Sequence, residues 1–531
     1  MRLDTLARRL AEHPELREVF AGLRGSTTWA SIAPEARPCF LATAFLREPR
    51  QILLVANGYD RALAWQAKLG IYGVPKDKIR ILPSGLSAIF EDAAPETVAL
   101  SDRLGSLRVL ASGDPCIIIA TPQAALERTL PAMDLLEHFI RIEQDETLDV
   151  MEASDKLVRL GYEPAEPVRV PGQFSRRGGI LDVFPMGAER PIRIEFFGDT
   201  VESLRVFDPM SQRSIRAVSE LELTLSRETL LPSPEVDVRD MLERTIALEA
   251  SRLETEAGNR LEESITLDVV ALEQRVYFDR LDLYRPLIQP DGPSALDYLG
   301  EDGLLVLEEP LELEANVNRL EEELADSLAH RHQRGEILQS TPYDFVWTPQ
   351  HFADAPHLLS FTSMNATPDW LPSDQVFELG ANNLEMYRGQ PQLLTQSLAN
   401  WLQEDLCVAF ASDQPMRTKT VLSQVEIFPT PTDQGHPLEE SEEALPPGLF
   451  VLEGNPAGGF ICPALKLAVV TDQELFGVGR LKLPQRKFSE GVPIATVLDL
   501  KPGDFVVHIN FGIGIYKGLV NRTTDGIEKE Y

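Results

Sequence analysis

Apolar positions in the first 140 residues alternate between two periods. Residues 3–23 repeat Leu and Phe at helical spacing, and 59–70 and 97–112 read as further helices. Between them, Ile52-Leu53-Leu54-Val55-Ala56 and Cys116-Ile117-Ile118-Ile119-Ala120 are short unbroken apolar runs. Buried parallel strands separated by helices produce this alternation, so the pattern predicts an α/β layer. From about 146 the texture changes to short strands, at 181–185, 192–197 and 201–207, cut by Gly and Pro. After the proline-rich joint Leu230-Leu231-Pro232-Ser233-Pro234, helix returns over 236–276, and Leu304-Leu305-Val306-Leu307 reads as another buried strand. The expectation is an α/β domain in two halves, 1–145 and 232–340, with a sheet-rich module at 146–231 inserted between them. A third α/β unit is expected over 345–480, with strands at 408–410, 448–453 and 466–471. Residues 481–499, with Lys482, Arg486 and Lys487, read as a basic linker. The stretch 500–531 is strand-rich and too short to bury Phe505, Val507 and Ile509 in a core of its own.

Length agrees with this division, since 531 residues at roughly 150 per domain give three or four domains. Charge changes the picture more. Fifty basic residues against 83 acidic ones leave a formal charge of −33, so the chain is not expected to clamp a nucleic-acid backbone by itself. Four cysteines (Cys39, Cys116, Cys407 and Cys462) form no disulfide framework or metal spacing and are expected to be buried. The start, Met1-Arg2-Leu3-Asp4-Thr5-Leu6-Ala7-Arg8-Arg9, is a charged amphipathic helix rather than a signal peptide, and no apolar run reaches the roughly 18 residues of a membrane span. A cytoplasmic protein with no membrane partner is the expectation.

An α/β domain with this layout invites a nucleotide-binding reading. A phosphate loop requires backbone amides and a lysine, written G-x-x-x-x-G-K-[S/T], and no Gly-Lys dipeptide occurs in the chain. We also expect no Mg2+-binding acidic strand end after the apolar runs, and hence no catalytic residue, cofactor or metal in these residues. Gly512-Ile513-Gly514-Ile515-Tyr516-Lys517-Gly518 imitates a dinucleotide loop but follows a strand without opening a helix, so it reads as a strand–turn–strand corner. Of the eight histidines only His330 and His332 lie close together, on different faces of a helix. No serine or cysteine sits in a nucleophile motif.

The informative stretch is Arg176-Arg177-Gly178-Gly179-Ile180-Leu181-Asp182-Val183-Phe184-Pro185, continued by Ile192-Arg193-Ile194-Glu195-Phe196-Phe197-Gly198-Asp199. Strand alternation puts Ile192, Ile194 and Phe196 on one face and Arg193, Glu195 and Phe197 on the other. Gly198-Asp199 suits a two-residue hairpin turn, and Arg177 precedes a Gly-Gly turn near the same face. Residues 169–217 hold eight arginines against six carboxylates, a positive patch in an acidic chain. Arginine beside an aromatic is the composition of a docking surface for an acidic partner. The competing reading is an ordinary surface with one partly buried Phe197.

The run over 172–209 resembles the second domain of the excision-repair UvrB family and of transcription-repair coupling factors, the Mfd family. The terminal Leu500-Lys501-Pro502-Gly503-Asp504-Phe505-Val506-Val507-His508-Ile509-Asn510-Phe511-Gly512-Ile513-Gly514 is similar to the start of the coupling factors' RNA-polymerase-interacting, CarD-like domain. Thr471-Asp472-Gln473-Glu474-Leu475-Phe476-Gly477 resembles the segment leading into it. The resemblance implies a multidomain α/β fold: a UvrB-like domain, related to P-loop NTPases but with a degenerate nucleotide site, carrying an inserted α+β UvrA-binding module. A second small α/β domain and the beginning of a small β-barrel would follow. It implies an adaptor that recruits UvrA to stalled RNA polymerase, with Arg177, Arg193 and Phe197 as the UvrA-docking residues. It further implies that the 531 residues are an N-terminal portion. The polymerase-binding strand would then lie at or beyond Tyr531, and the ATP- and Mg2+-dependent DNA translocase would lie in further domains. The rival from another class is a UvrB-like, helicase-related enzyme that binds damaged DNA directly. The absent Gly-Lys and the charge of −33 count against it.

Overall fold

The computed structural model describes residues 2–21, 23–86, 97–232, 238–278, 280–363, 366–371, 375–388, 390–424, 426–430 and 445–476, and four short strands after 504. These fall into two units, 1–484 and 485–531. In the first unit, strands β1 (Ser26–Ile32), β2 (Gln51–Val55), β3 (Ile79–Leu82) and β4 (Cys116–Ala120) open the chain. The inserted module supplies β5 (Phe139–Glu143), β6 (Glu163–Pro164), β7 (Gln173–Arg177), β8 (Ile180–Val183), β9 (Ile192–Phe197), β10 (Thr200–Phe207), β11 (Ser214–Val218) and β12 (Glu220–Thr224). Then come β13 (Leu304–Glu308), β14 (His357–Phe361), β15 (Gln375–Asn383), β16 (Cys407–Ser412), β17 (Gly448–Glu453), β18 (Phe460–Cys462) and β19 (Leu467–Thr471).

Eleven of these strands form one sheet in the order β17-β16-β19-β18-β15-β1-β14-β13-β2-β4-β3. The apolar runs sit inside it. Ile52, Leu54, Ile117, Ile119, Leu304 and Val306 pack into one core with the helices Asp4–Ala11, Arg37–Arg47 and Tyr59–Ile71. Leu53, Val55, Ile118, Leu305 and Leu307 face a second core with the helices Thr97–Ala111 and Pro310–Gln333. The expected continuous runs therefore reflect burial on both faces of a largely parallel sheet. Strand β14 lies between β1 and β13, although it falls within the segment read from sequence as a third unit. That segment also joins the sheet through β15, which pairs parallel with β1 and antiparallel with β18.

One expectation is corrected. An acidic strand end does exist: β13 closes on Glu308, followed by Glu309, at the carboxyl edge of the sheet.

The module is a six-stranded sheet, β11-β10-β9-β8-β7-β6, beside the pair β12–β5. Its exit is pinned by buried charge. Arg103 clamps Glu228 with Nε–Oε2 and Nη2–Oε1 distances of 2.7 and 2.8 Å, and the Glu127 carboxylate lies 3.4 Å from Arg103. Arg285 approaches both glutamates and donates to Thr229 and Asp282 at 2.9 and 2.8 Å. Burial opposes the Glu228 charge, yet Arg103 and Arg285 hold its pKa down at about 2. Burial pushes Glu127 up to about 6 against the pull of Arg103. The quartet ties the end of the module to both halves of the surrounding domain.

In the second unit, Phe505–His508 pairs antiparallel with Gly512–Ile515, and Asn521–Thr524 with Ile527–Glu530. Of the strand–turn–strand reading at 512–518, Gly512–Ile515 is a strand and the rest lies outside the described residues. The expectation about burial of Phe505, Val507 and Ile509 lies outside the described residues, as does the linker at 481–499.

Candidate docking face

The face begins with two tight turns. Gly178 (φ +62°) joins β7 to β8, and Gly198 (φ +63°) joins β9 to β10, both in the left-handed region that glycine enters without strain. Antiparallel register then sets the faces: Asp182 opposes Arg193, Ile180 opposes Glu195, and Arg193 opposes Arg205. Leu181, Ile194, Val201 and Leu204 point inward and are almost fully buried. They pack with Ala153 and Leu157 of the helix Val150–Arg159, whose start is capped by Asp149 accepting from the Met151 and Glu152 amides. A row of apolar side chains thus fixes the sheet and leaves the other face to carry function.

Phe197 stands at the hairpin tip with 79% of its surface exposed. The reading of a partly buried Phe197 is thereby set aside. Ile180, also exposed, lies on the same face and opposes the residue two positions before Phe197. Arg177 is exposed and makes only a loose surface pair with Glu166, at 3.2 Å. Arg205, exposed too, approaches Glu195 at 3.6 Å. An open aromatic flanked by solvated arginines is a surface that gains by being covered.

Arg193 behaves differently from the expectation. Its side chain is only 20% exposed, and it forks onto buried Asp182 with Nε–Oδ1 2.6 Å and Nη2–Oδ2 2.8 Å. Gln212 accepts a further bond at 3.3 Å, and the guanidinium lies 4.7 Å from the centre of the Phe207 ring. The hydrogen bonds that Arg193 donates to Asp182 favour the charged guanidinium, and a bidentate fork fixes its orientation. Arg193 is a pinned charge rather than a free one. Reading the sequence alone missed Asp182, Ile180 and Arg205; the signal was the β8–β9 register, which places Asp182 opposite Arg193.

Among the described residues, no three His, Cys, Asp or Glu side chains gather as a metal site, and no helix is long and apolar enough to cross a membrane. All four cysteines are buried and unbridged.

Comparisons with known proteins follow the same division of the chain. Residues 140–228 match the family described as the UvrB interaction domain, 383–477 the cyanobacterial Mfd Rossmann-like domain, and 500–531 the CarD-like/TRCF RID domain. A transcription-repair-coupling factor of Bacillus subtilis is 28% identical over 535 residues, covering 98% of this chain and 43% of its own. Those of Staphylococcus epidermidis and Myxococcus xanthus are 24% and 26% identical, covering 97% and 85% of this chain. The chain spans less than half the length of these relatives. Three domain matches in one order, with alignment along nearly the whole chain, make it similar to the transcription-repair-coupling factors.

Proposed function

We propose that this chain is the adaptor part of a transcription-repair coupling factor, linking stalled RNA polymerase to excision repair by docking UvrA. The observation that carries the reading is the exposed Phe197 at the tip of a glycine-turned hairpin, beside Arg177 and the pinned Arg193, in the segment that matches the UvrB interaction domain. Phe197 supplies apolar area that becomes dry on docking, and Arg177 supplies charge-assisted hydrogen bonds to an acidic partner, while Arg193, held by Asp182, adds fixed positive charge beside them. Polymerase contact would begin in the 500–531 segment, which is similar to the CarD-like/TRCF RID domain, with the binding strand at or beyond Tyr531. Direct action on damaged DNA as a UvrB-like helicase is not favoured, because the relatives are coupling factors and the chain is strongly acidic. Within this reading, the UvrB-like domain has lost nucleotide use. ATP, Mg2+ and DNA are handled by other domains of the family, and the work is done in the cytoplasm.

The test is a titration of the full chain with purified UvrA, no nucleotide added. Saturable binding that an excess of isolated UvrB reduces is expected, since both would use one site. Binding that UvrB leaves untouched, or no binding at all, contradicts the assignment.

A further inference from the structure

A cavity of about 530 Å3 opens at the carboxyl edge of the large sheet. Its walls include Pro34 and Arg37 after β1, Glu308 and Glu309 after β13, and Ser363 after β14. The crossovers from β1 to β2 and from β13 to β14 run in opposite directions along the sheet. Right-handed connections therefore send their helices to opposite faces, and the two cores bear this out. Such a switch point is where open α/β sheets bind their ligands.

The local backbone is poorly suited to cradle a phosphate. The loop reads Ala33-Pro34-Glu35-Ala36-Arg37-Pro38, and its two prolines have no N–H to offer. The Ala33 amide donates to Ala381 O at 2.8 Å and the Ala36 amide to Ala33 O at 2.9 Å. Glu35 adds a negative charge, answered by Lys68.

The centre of the crevice is held by Arg37, whose side chain is 1% exposed. Its Nε donates to Ile32 O at 3.2 Å, and its Nη2 donates to Glu309 and to Ser363 Oγ, the latter at 2.9 Å. Its Nη1 lies 3.6 Å from Glu308 Oε1, and the guanidinium lies 5.9 Å from the centre of the Phe361 ring. Glu309 takes a left-handed backbone (φ +50°), an uncommon place for a residue with a side chain. The Ser363 amide and hydroxyl hold its carboxylate there. Partial burial works against the Glu309 charge, but those bonds and Arg37 keep its pKa low. Burial pushes the Glu308 carboxyl up, against the pull of Arg37 and of the Trp65 side chain. The acidic strand end is thus answered within the chain itself: Arg37 lies against both carboxylates, Ser363 holds Glu309, and Trp65 and Arg61 favour the Glu308 charge.

We propose that Arg37 is the resident cation of this crevice, filling from within the place where the fold would otherwise receive a metal-bound phosphate. The crevice is then a sealed site: its charge is balanced without a ligand, and nucleotide is excluded by an occupant that cannot leave. The inference rests on this crevice alone and stands or falls apart from the docking of UvrA.

The experiment uses thermal unfolding of the full chain and three variants. Arg37→Ala should lower the midpoint by at least about 5 °C, since two carboxylates lose their counter-charge in a buried setting. Millimolar methylguanidinium, compared with equal sodium chloride, should restore part of that loss in Arg37→Ala and do nothing to the parent. Arg37→Gln with Glu308→Gln and Glu309→Gln should be more stable than Arg37→Gln alone, because neutral amides need no counter-ion. The parent should show no midpoint shift with Mg-ATP. The proposal is overturned if the triple variant is no more stable than Arg37→Gln, whether or not the single variant folds. It is equally overturned if the parent is shifted by Mg-ATP, or if methylguanidinium leaves Arg37→Ala unchanged.

Discussion

The crevice beneath Arg37 and the outer face around Phe197 are built from the same parts and differ in what is left open. Each has an arginine clamped by carboxylate and lying over an aromatic ring: Arg37 with Glu309 and Phe361, Arg193 with Asp182 and Phe207. In the crevice the guanidinium itself is shut off from water, with Glu308 buried and Glu309 partly so. On the module face the clamp holds the edge of a surface from which Phe197 projects. Sealed charges of this kind do their work in stability, because breaking one leaves its partner buried and uncompensated. Open ones do theirs in binding, where water is displaced only when a partner arrives.

The buried quartet at the module exit offers the largest expected effect. Arg103→Ala should cost on the order of 3–5 kcal/mol of unfolding free energy, read from urea midpoints, because Glu228 and Glu127 would share one remaining arginine. A loss below about 1 kcal/mol would place the quartet with the solvated pairs instead.

Next in size is the pinned pair. Arg193→Ala should cost about 2–3 kcal/mol of stability, since Asp182 is almost fully buried and would lose its fork. Adding Asp182→Asn should recover part of it, and strict additivity of the two would deny the coupling. Strand alternation, which places Arg193 on the outer face, gives no sign of this coupling.

Arg177 is the contrasting case. Exposed and loosely paired, it should leave stability within about 0.5 kcal/mol on truncation to alanine while weakening UvrA binding by roughly fivefold. The reverse pattern, with stability lost and affinity kept, would put it among the sealed charges.

The smallest effect is a pH dependence. His351 is buried and reaches Asp297 and Asp354, each at 3.1 Å, and stacks on Trp347 with ring centres 4.4 Å apart. Burial opposes its charge, but the two aspartates raise its pKa above the ordinary value. A raised histidine pKa gives stability that is complete below about pH 6.5 and is lost as the pH rises through the folded value. Stability of the parent minus that of His351→Gln should therefore shrink as the pH rises above about 6.5, the subtraction removing the contribution of Glu127. A difference that is flat in pH contradicts the assignment.

Much of the strand framework was legible because buried parallel strands are written as apolar runs. Residues 116–120 and 448–453 match their strands end to end, and 192–197 matches β9. Strand β1 was not legible: Ser26-Thr27-Thr28-Trp29-Ala30-Ser31-Ile32 is polar in composition, yet it lies between β14 and β15 in the middle of the sheet. Its place is decided by long-range pairing, which local pattern does not encode. For the same reason Arg37 carried no signal, since its partners Glu308 and Glu309 lie some 270 residues away. Glu308-Glu309 did stand directly after an apolar run. The turns, Phe197 and the inward row could be read in the hairpin itself, because two-residue turns and strand alternation settle them locally. The Asp182 clamp on Arg193 needed the register of two strands as well.

The proposed docking of UvrA on the module face runs through an open aromatic rather than through sealed charges. The direct measurement is UvrA affinity for Phe197→Ala beside its urea midpoint. Phe197 touches no core, so the midpoint should stay within error of the parent, while affinity falls by about 2 kcal/mol, roughly thirtyfold. A variant that binds UvrA like the parent with its fold intact contradicts the claim, and one that unfolds shows that Phe197 belongs to the structure instead.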